Sequence, residues 1–233
     1  ESKLTASIDS PALDPIEEAL RQNGWVLTHI FNTHHHYDHT GANLELKKRW
    51  KCKIIGSDKD SDRIPGLDEG VNDQEIFSFG NNEVKVFDVS GHTIGHISFY
   101  FPGEEKLFCG DALFALGCGR IFEGTPAQMW ESLQKLERLP EDTKVYCAHE
   151  YTLANANFAV TVEPQNKVLL DRVKEIKKLR NEGKPTIPST IGLEKSTNPF
   201  LRPMSRDIQA NLDMLDAELV DVFAETRRRK DNF

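Results

Sequence analysis

The residues best equipped for chemistry lie in one stretch, Thr33-His34-His35-His36-Tyr37-Asp38-His39. The chain has 8 histidines in 233 residues, so their crowding here is a pattern rather than an accident of composition. Two histidines at i and i+2 on extended backbone point to one face, and the loop that follows can fold Asp38 and His39 back toward the same point. That is how metal ligands are arranged. Imidazole mixed with carboxylate suits zinc, iron or manganese, whereas calcium or magnesium would be met mostly by oxygen. A polar loop whose histidines only form hydrogen bonds is the plainer alternative, and it leaves the spacing unexplained.

Three further donors fall where strands are predicted to end: His92 in Gly91-His92-Thr93-Ile94-Gly95-His96, Asp111 in Cys109-Gly110-Asp111, and His149 in Cys147-Ala148-His149-Glu150. Each alone reads as a loop residue. Their shared placement changes that, because the strand ends of an α/β sheet meet in one crevice. Five histidines and two aspartates exceed what one tetrahedral zinc takes and match two metals sharing a carboxylate. His29, His35 and His96 are read as structural.

The elements that must hold these donors alternate. Asp14-Pro15 through Gly24 predicts a short amphipathic helix with an N-cap, a first-turn proline and a closing glycine. A β-rich run spans Trp25 to Thr33, a helix Ala42 to Trp50, and a strand Lys53 to Ile55. Ile76 to Phe79, a Gly80-Asn81-Asn82 turn and Val84 to Val89 predict a hairpin. Ile97 to Phe101 and Leu107 to Cys109 form a further strand pair. Thr125-Pro126-Ala127-Gln128 has the form of a capping box and opens a helix to about Leu139. Lys144 to Cys147 is the last predicted strand. Glu163 to Glu182 then reads as a charged amphipathic helix, Lys184 to Pro199 as a Pro/Ser/Thr-rich connector, and the stretch from about Asp207 as a final helix. The boundary is placed near Glu150, with α/β material over 1–150 and helices over 151–233.

A net charge of -8 argues against a nucleic-acid partner, which would need a basic surface. No apolar run approaches the roughly 18 residues of a membrane span, so no membrane partner is expected. Cys52, Cys109, Cys118 and Cys147 are widely spaced with no C-x-x-C pair. They read as reduced core thiols, favouring a reducing compartment: the cytoplasm, with the mitochondrial matrix as the alternative. The chain opens on Glu1 rather than Met, which implies a processed or trimmed start. A monomer is expected.

The succession H-x-H-x-D-H, G-H-T-x-G-H, G-D and C-x-H-E-Y resembles the metallo-β-lactamase superfamily. Gly117-Cys118-Gly119-Arg120, His149-Glu150-Tyr151-Thr152, Pro185 to Thr190, Asn198-Pro199-Phe200 and Arg227 to Asp231 narrow the resemblance to glyoxalase II, the hydroxyacylglutathione hydrolases. The resemblance implies an αββα sandwich followed by a small C-terminal α-helical domain that completes the substrate site. It implies that His34, His36 and His92 hold one metal, Asp38, His39 and His149 the other, and that Asp111 bridges them. It places Arg120, Phe122, Tyr151, Arg227 and Lys230 on the glutathione part of the substrate. Two positions depart from the family habit: phenylalanine stands at Phe122 where tyrosine is usual, and arginine at Arg120 where lysine is common. The family's first strand also has no counterpart ahead of Ser7-Ile8-Asp9-Ser10-Pro11, which looks like the end of its second.

The implied reaction is hydrolysis of an S-(2-hydroxyacyl)glutathione thioester by a hydroxide bridging two divalent metals, zinc first and iron or manganese as alternatives. Asp38 would both bind metal and orient that hydroxide. A thiol of pKa about 8.5 leaves as thiolate without a general acid. No G-x-S-x-G elbow is present, and Cys118 reads as packing beside a turn. Two rivals use the same motifs. A persulfide dioxygenase with one iron would need neither the complete second metal site nor the basic helical extension, and an inactive metal-binding relative would not need all seven ligands.

Overall fold

The protein is described by a computed structural model covering residues 3–233. It divides into two compact units, one of residues up to Asp88 together with Ile94–Glu104, the other of Val89–Thr93 with Glu105–Phe233.

The first unit is built as helices, sheet, sheet. It contains β1 (Ala6–Ile8), α1 (Leu13–Asn23), β2 (His29–Phe31), the single turn α2 (Tyr37–Thr40), α3 (Asn43–Trp50), β3 (Lys53–Ser57), β4 (Glu69–Val71), β5 (Ile76–Phe79), β6 (Asn82–Asp88) and β7 (Ile97–Phe101). Strands β1 to β4 pair in parallel in sequence order, and β5 to β7 form an antiparallel meander. Leu20 of α1 and Leu46 of α3 pack with Ile30 and Ile54 on one face of the parallel sheet. Rings fill the other: Phe31 of β2 meets Phe77 and Phe79 of β5 and Phe99 of β7 at centroid separations of 5.6, 5.2 and 5.2 Å. Gly24 closes α1 at φ 64°, a left-handed conformation in which glycine carries no Cβ penalty. The helix begins two residues earlier than its sequence suggests, with Ala12 rather than Asp14 at the N-cap and Asp14 in the first turn.

The second unit contains β8 (Lys106–Gly110), β9 (Leu113–Phe114), β10 (Gly117–Cys118), α4 (Pro126–Glu137), β11 (Lys144–Cys147), α5 (Thr152–Val162), α6 (Lys167–Asn181), β12 (Ser189–Thr190), α7 (Ile191–Thr197), α8 (Arg206–Asn211) and α9 (Leu219–Asp231). β8 and β11 pair in parallel, β9 and β10 form a small hairpin. The capping box forms as its sequence predicts: the Thr125 side chain accepts from the Gln128 backbone while Gln128 reaches back to Thr125. Leu116, Ala156, Ala159, Leu169 and Val173 build the core under α5 and α6.

The differences from expectation lie mostly after Glu150. β11 is not the last strand, because β12 pairs antiparallel with it. The connector over 184–199 carries both β12 and α7, and α5 precedes the charged helix, which begins at Lys167 rather than Glu163. The β-rich run from Trp25 shrinks to β2, leaving Trp25 and Val26 exposed.

Candidate metal centre

In the first unit the donors follow β2. His34 and His39 are buried, and His36 stands at the N-cap of α2 with Asp38 in its first turn. His34 Nε2 lies 3.0 Å from His36 Nδ1. Donor atoms of His34 and His39 lie within 4.8 Å of each other, and His39 Nε2 is 3.8 Å from Asp38 Oδ2. Donors sharing one tetrahedral ion at bonds of about 2.0–2.2 Å stand about 3.3–3.6 Å apart, and the separations of 3.0 and 3.8 Å bracket that range.

Asp9, at φ 58° just beyond β1, organises this cluster from beneath. Its carboxylate accepts from Thr33 N at 2.7 Å, from Thr33 Oγ1 at 2.9 Å and from His39 Nδ1 at 2.7 Å. The contact fixes the His39 tautomer with its Nε2 lone pair outward, as a metal-ligating histidine requires. The effect extends one residue further. Thr33 Oγ1 gives its single proton to Asp9, so it accepts from His34 Nδ1 at 3.0 Å and leaves His34 Nε2 as a lone-pair donor. Two imidazole nitrogens at 3.0 Å then need a proton or a cation between them. Asp9 is the functional residue that sequence reasoning missed; its one signal is an aspartate closing a strand.

The other histidines of this unit have different work. His35 Nδ1 sits 3.0 Å from the buried Asp60 carboxylate, and His96 stacks on His34 at 4.6 Å. His29 packs edge-on against Phe31 and Phe79, and burial followed by the nearby Lys53 pushes its pKa down.

In the second unit Asp111 follows β8 and His149 follows β11, and parallel pairing brings these two ends out on the same side. His92 Nδ1 donates to the Arg120 carbonyl at 2.7 Å, which turns Nε2 toward Asp111 Oδ2 at 3.6 Å. His149 Nε2 lies 3.4 Å from the other oxygen, Oδ1. Each oxygen of Asp111 therefore faces a different histidine, at separations again suited to shared ions rather than to strong hydrogen bonds. Gly119 is pressed against this group: a Cβ there would meet the Asp111 carbonyl oxygen at 2.1 Å and His92 Nδ1 at 3.1 Å.

A cavity of about 380 Å³ opens beside His92 and Asp111, and its wall includes Arg120, Phe122, Tyr151, Arg227 and Lys230. Phe122 is exposed with its ring 5.1 Å from that of His92, and Tyr151 stacks on His149 at 5.0 Å. Arg227 is buried, its guanidinium 5.0 Å over the Phe200 ring. Lys230 has its pKa lowered, first by burial and then by Arg227 and Arg120. Cys118 also lines the cavity, and burial pushes its thiol up to about 11, which makes it a poor nucleophile at neutral pH.

Two family models match the chain. "Metallo-beta-lactamase superfamily" covers residues 5–149, and "Hydroxyacylglutathione hydrolase C-terminus" covers residues 150–233. A hydroxyacylglutathione hydrolase of Methylococcus capsulatus is 53% identical over 232 residues, spanning 100% of this chain and 91% of the relative. One from Rhizobium etli is 53% identical over 233 residues with the same coverage. Among solved structures, ETHE1 from Myxococcus xanthus superposes with a TM-score of 0.66 at 25% identity, covering 98% of this chain and 90% of that one.

Proposed function

Because the chain belongs to the hydroxyacylglutathione hydrolases of the metallo-β-lactamase superfamily, we propose that it hydrolyses S-(2-hydroxyacyl)glutathione thioesters to glutathione and the free 2-hydroxy acid. S-D-lactoylglutathione, giving D-lactate in the second step of methylglyoxal detoxification, is the leading substrate. The observation that carries the reading is one cavity lined both by metal-type donors, His92 and Asp111, and by three cations, Arg120, Arg227 and Lys230. A thioester whose thiol arm bears carboxylates calls for both.

We assign His34, His36 and His92 to one divalent metal, Asp38, His39 and His149 to a second, and Asp111 to both. The donor types favour zinc, and the same set accepts iron or manganese. When bound, such metals supply a water acidic enough to attack at neutral pH and polarise the carbonyl. The remaining tasks fall to the protein's own side chains. Arg120, Arg227 and Lys230 offer guanidinium and ammonium groups to carboxylates, Tyr151 adds a hydroxyl and Phe122 an apolar wall. Asp38 orients the attacking water in addition to its ligand role. The departing thiol, with an ordinary pKa of about 8.5, needs no acid.

Residues 1–150 are assigned to a metal-binding domain and 151–233 to a helical substrate-binding domain, a division supported by the junction of the two family models. A cytoplasmic monomer without a nucleic-acid partner suits four free cysteines and a charge of -8. No described helix is long and apolar enough to cross a membrane. Turnover of S-D-lactoylglutathione by purified protein, with metal analysis on the same sample, tests the reading. Thiol release with close to two metals per chain is expected; two bound metals without release would reject it.

A further inference from the structure

Arg227 has five N–H donors, and its surroundings commit three of them to oxygen. Nε and Nη2 donate to Asp231 Oδ1 at 3.1 and 2.8 Å, and Nη1 donates to the Cys118 carbonyl at 2.8 Å, with the sulfur of the same cysteine a longer, weaker acceptor at 3.9 Å. The Phe200 ring lies across its face. One proton on each Nη is held by no oxygen, a two-point fork of the size that a single carboxylate fills, and an ionised carboxylate outcompetes a thiol sulfur for it. The same Asp231 oxygen draws in a second cation, Arg120 Nε at 3.6 Å.

Resting on the reading that Arg227 and Arg120 meet the thiol arm of the substrate, we propose that Asp231 is a specificity-determining positioning residue. It latches Arg227 so that the fork is formed before the ligand arrives, and it couples Arg120 to the same anchor. Such preorganisation matters because an arginine side chain left mobile loses conformational freedom at each binding event. Asp231 suits the task by position: it closes α9 at i+4 from Arg227, so the helix sets their separation, and its carboxylate is only partly exposed. The chemistry also says which end of the substrate is read. In glutathione the γ-glutamyl carboxylate is neutralised by the ammonium beside it, whereas the glycyl carboxylate stands alone, and a latched cationic fork favours the lone anion.

The test compares kcat/KM for S-D-lactoylglutathione and for its glycyl carboxamide in the metal-loaded wild type, Asp231→Asn and Asp231→Glu. The wild type is expected to prefer the carboxylate by about 100-fold, the order for a paired charge-assisted contact. In Asp231→Asn that preference falls roughly tenfold, through KM of the carboxylate substrate, and Asp231→Glu recovers part of it. A merely structural role would depress both thioesters alike and leave their ratio intact, which would overturn the assignment. So would a wild type indifferent to the carboxylate, with the hydrolase reading left standing. A wild type that turns over neither thioester removes that reading and this inference together. Should Asp231→Asn not fold, the ratio in Asp231→Glu decides, an unshifted value standing against the latch.

Discussion

At the scale of single residues, the cluster depends on atoms that do not themselves touch an ion. Asp9 holds the proton on His39 Nδ1 and, through Thr33, the tautomer of His34. Asp9→Asn keeps the shape but offers an amide in place of one carboxylate oxygen. Metal affinity is expected to fall about 10–100-fold, read by chelator competition, with the folded state retained. Lys230 supports a second expectation. Burial, Arg227 and Arg120 lower its pKa, so as pH rises its ammonium is lost before that of an ordinary lysine near 10.4. KM for the anionic substrate should therefore climb with pH on the alkaline side, and Lys230→Arg, charged throughout, should flatten the profile; the same climb in that variant would clear Lys230. These two residues also mark what the sequence makes legible. His34 to His39 carry their spacing in one short stretch, and Lys230 stands in a recognisable basic run. The role of Asp9 exists only once the fold brings it to Thr33 and His39, 24 and 30 residues away along the chain.

At the scale of elements, the β9–β10 hairpin that supplies Phe114 and Cys118 to the cavity is fastened by a buried polar group from α7. Glu194 is fully buried and accepts from Leu116 N at 2.8 Å, from Asn198 Nδ2 at 3.0 Å, and from Arg172 and Ser189. Asn198 in turn donates to the Phe114 and Gly117 carbonyls at 3.1 and 2.9 Å. Glu194→Ala leaves the buried Arg172 without its counter-charge, which costs about 3–5 kcal/mol. The thermal midpoint should fall by roughly 10 °C, measurable by calorimetry, since a protein of this size moves about 2–4 °C per kcal/mol. An unchanged midpoint would mean that the network is solvated rather than sealed. The same region is where the pattern of residues fails to announce its structure. α5 buries Ala156, Phe158 and Ala159 as well as Thr152 and Asn155, so it lacks the polar stripe by which a surface helix is recognised. α7 hides in a stretch whose prolines, serines and threonines read as loop, although Thr190 caps it through its side chain. β12 is two residues long and exists only because β11 offers a partner. Elements with a local signature, such as α1 with Gly24 and α4 with its capping box, are legible for the opposite reason.

At the scale of the whole molecule, the proposed ligands His34, His36, Asp38, His39, His92, Asp111 and His149 are spread widely along the chain. Metal binding would then be coupled to folding, because the unfolded chain has no way to hold donors that range from residue 34 to residue 149 at bonding distance. A ligand that binds only the native state adds RT ln(1 + [L]/Kd), about 4.1 kcal/mol at a thousandfold excess over Kd. At about 2–4 °C per kcal/mol this is a shift on the order of 10 °C. Stripping the protein with a strong chelator should therefore lower its thermal midpoint by about that amount, and returning zinc should restore it. Asp111→Asn, which removes the carboxylate assigned to both ions, should recover only part of the shift on reloading, with metal content falling toward one per chain. A stripped protein that melts with the holoprotein would show that these seven side chains do not bind metal through the native fold, and the hydrolytic reading would fall with them.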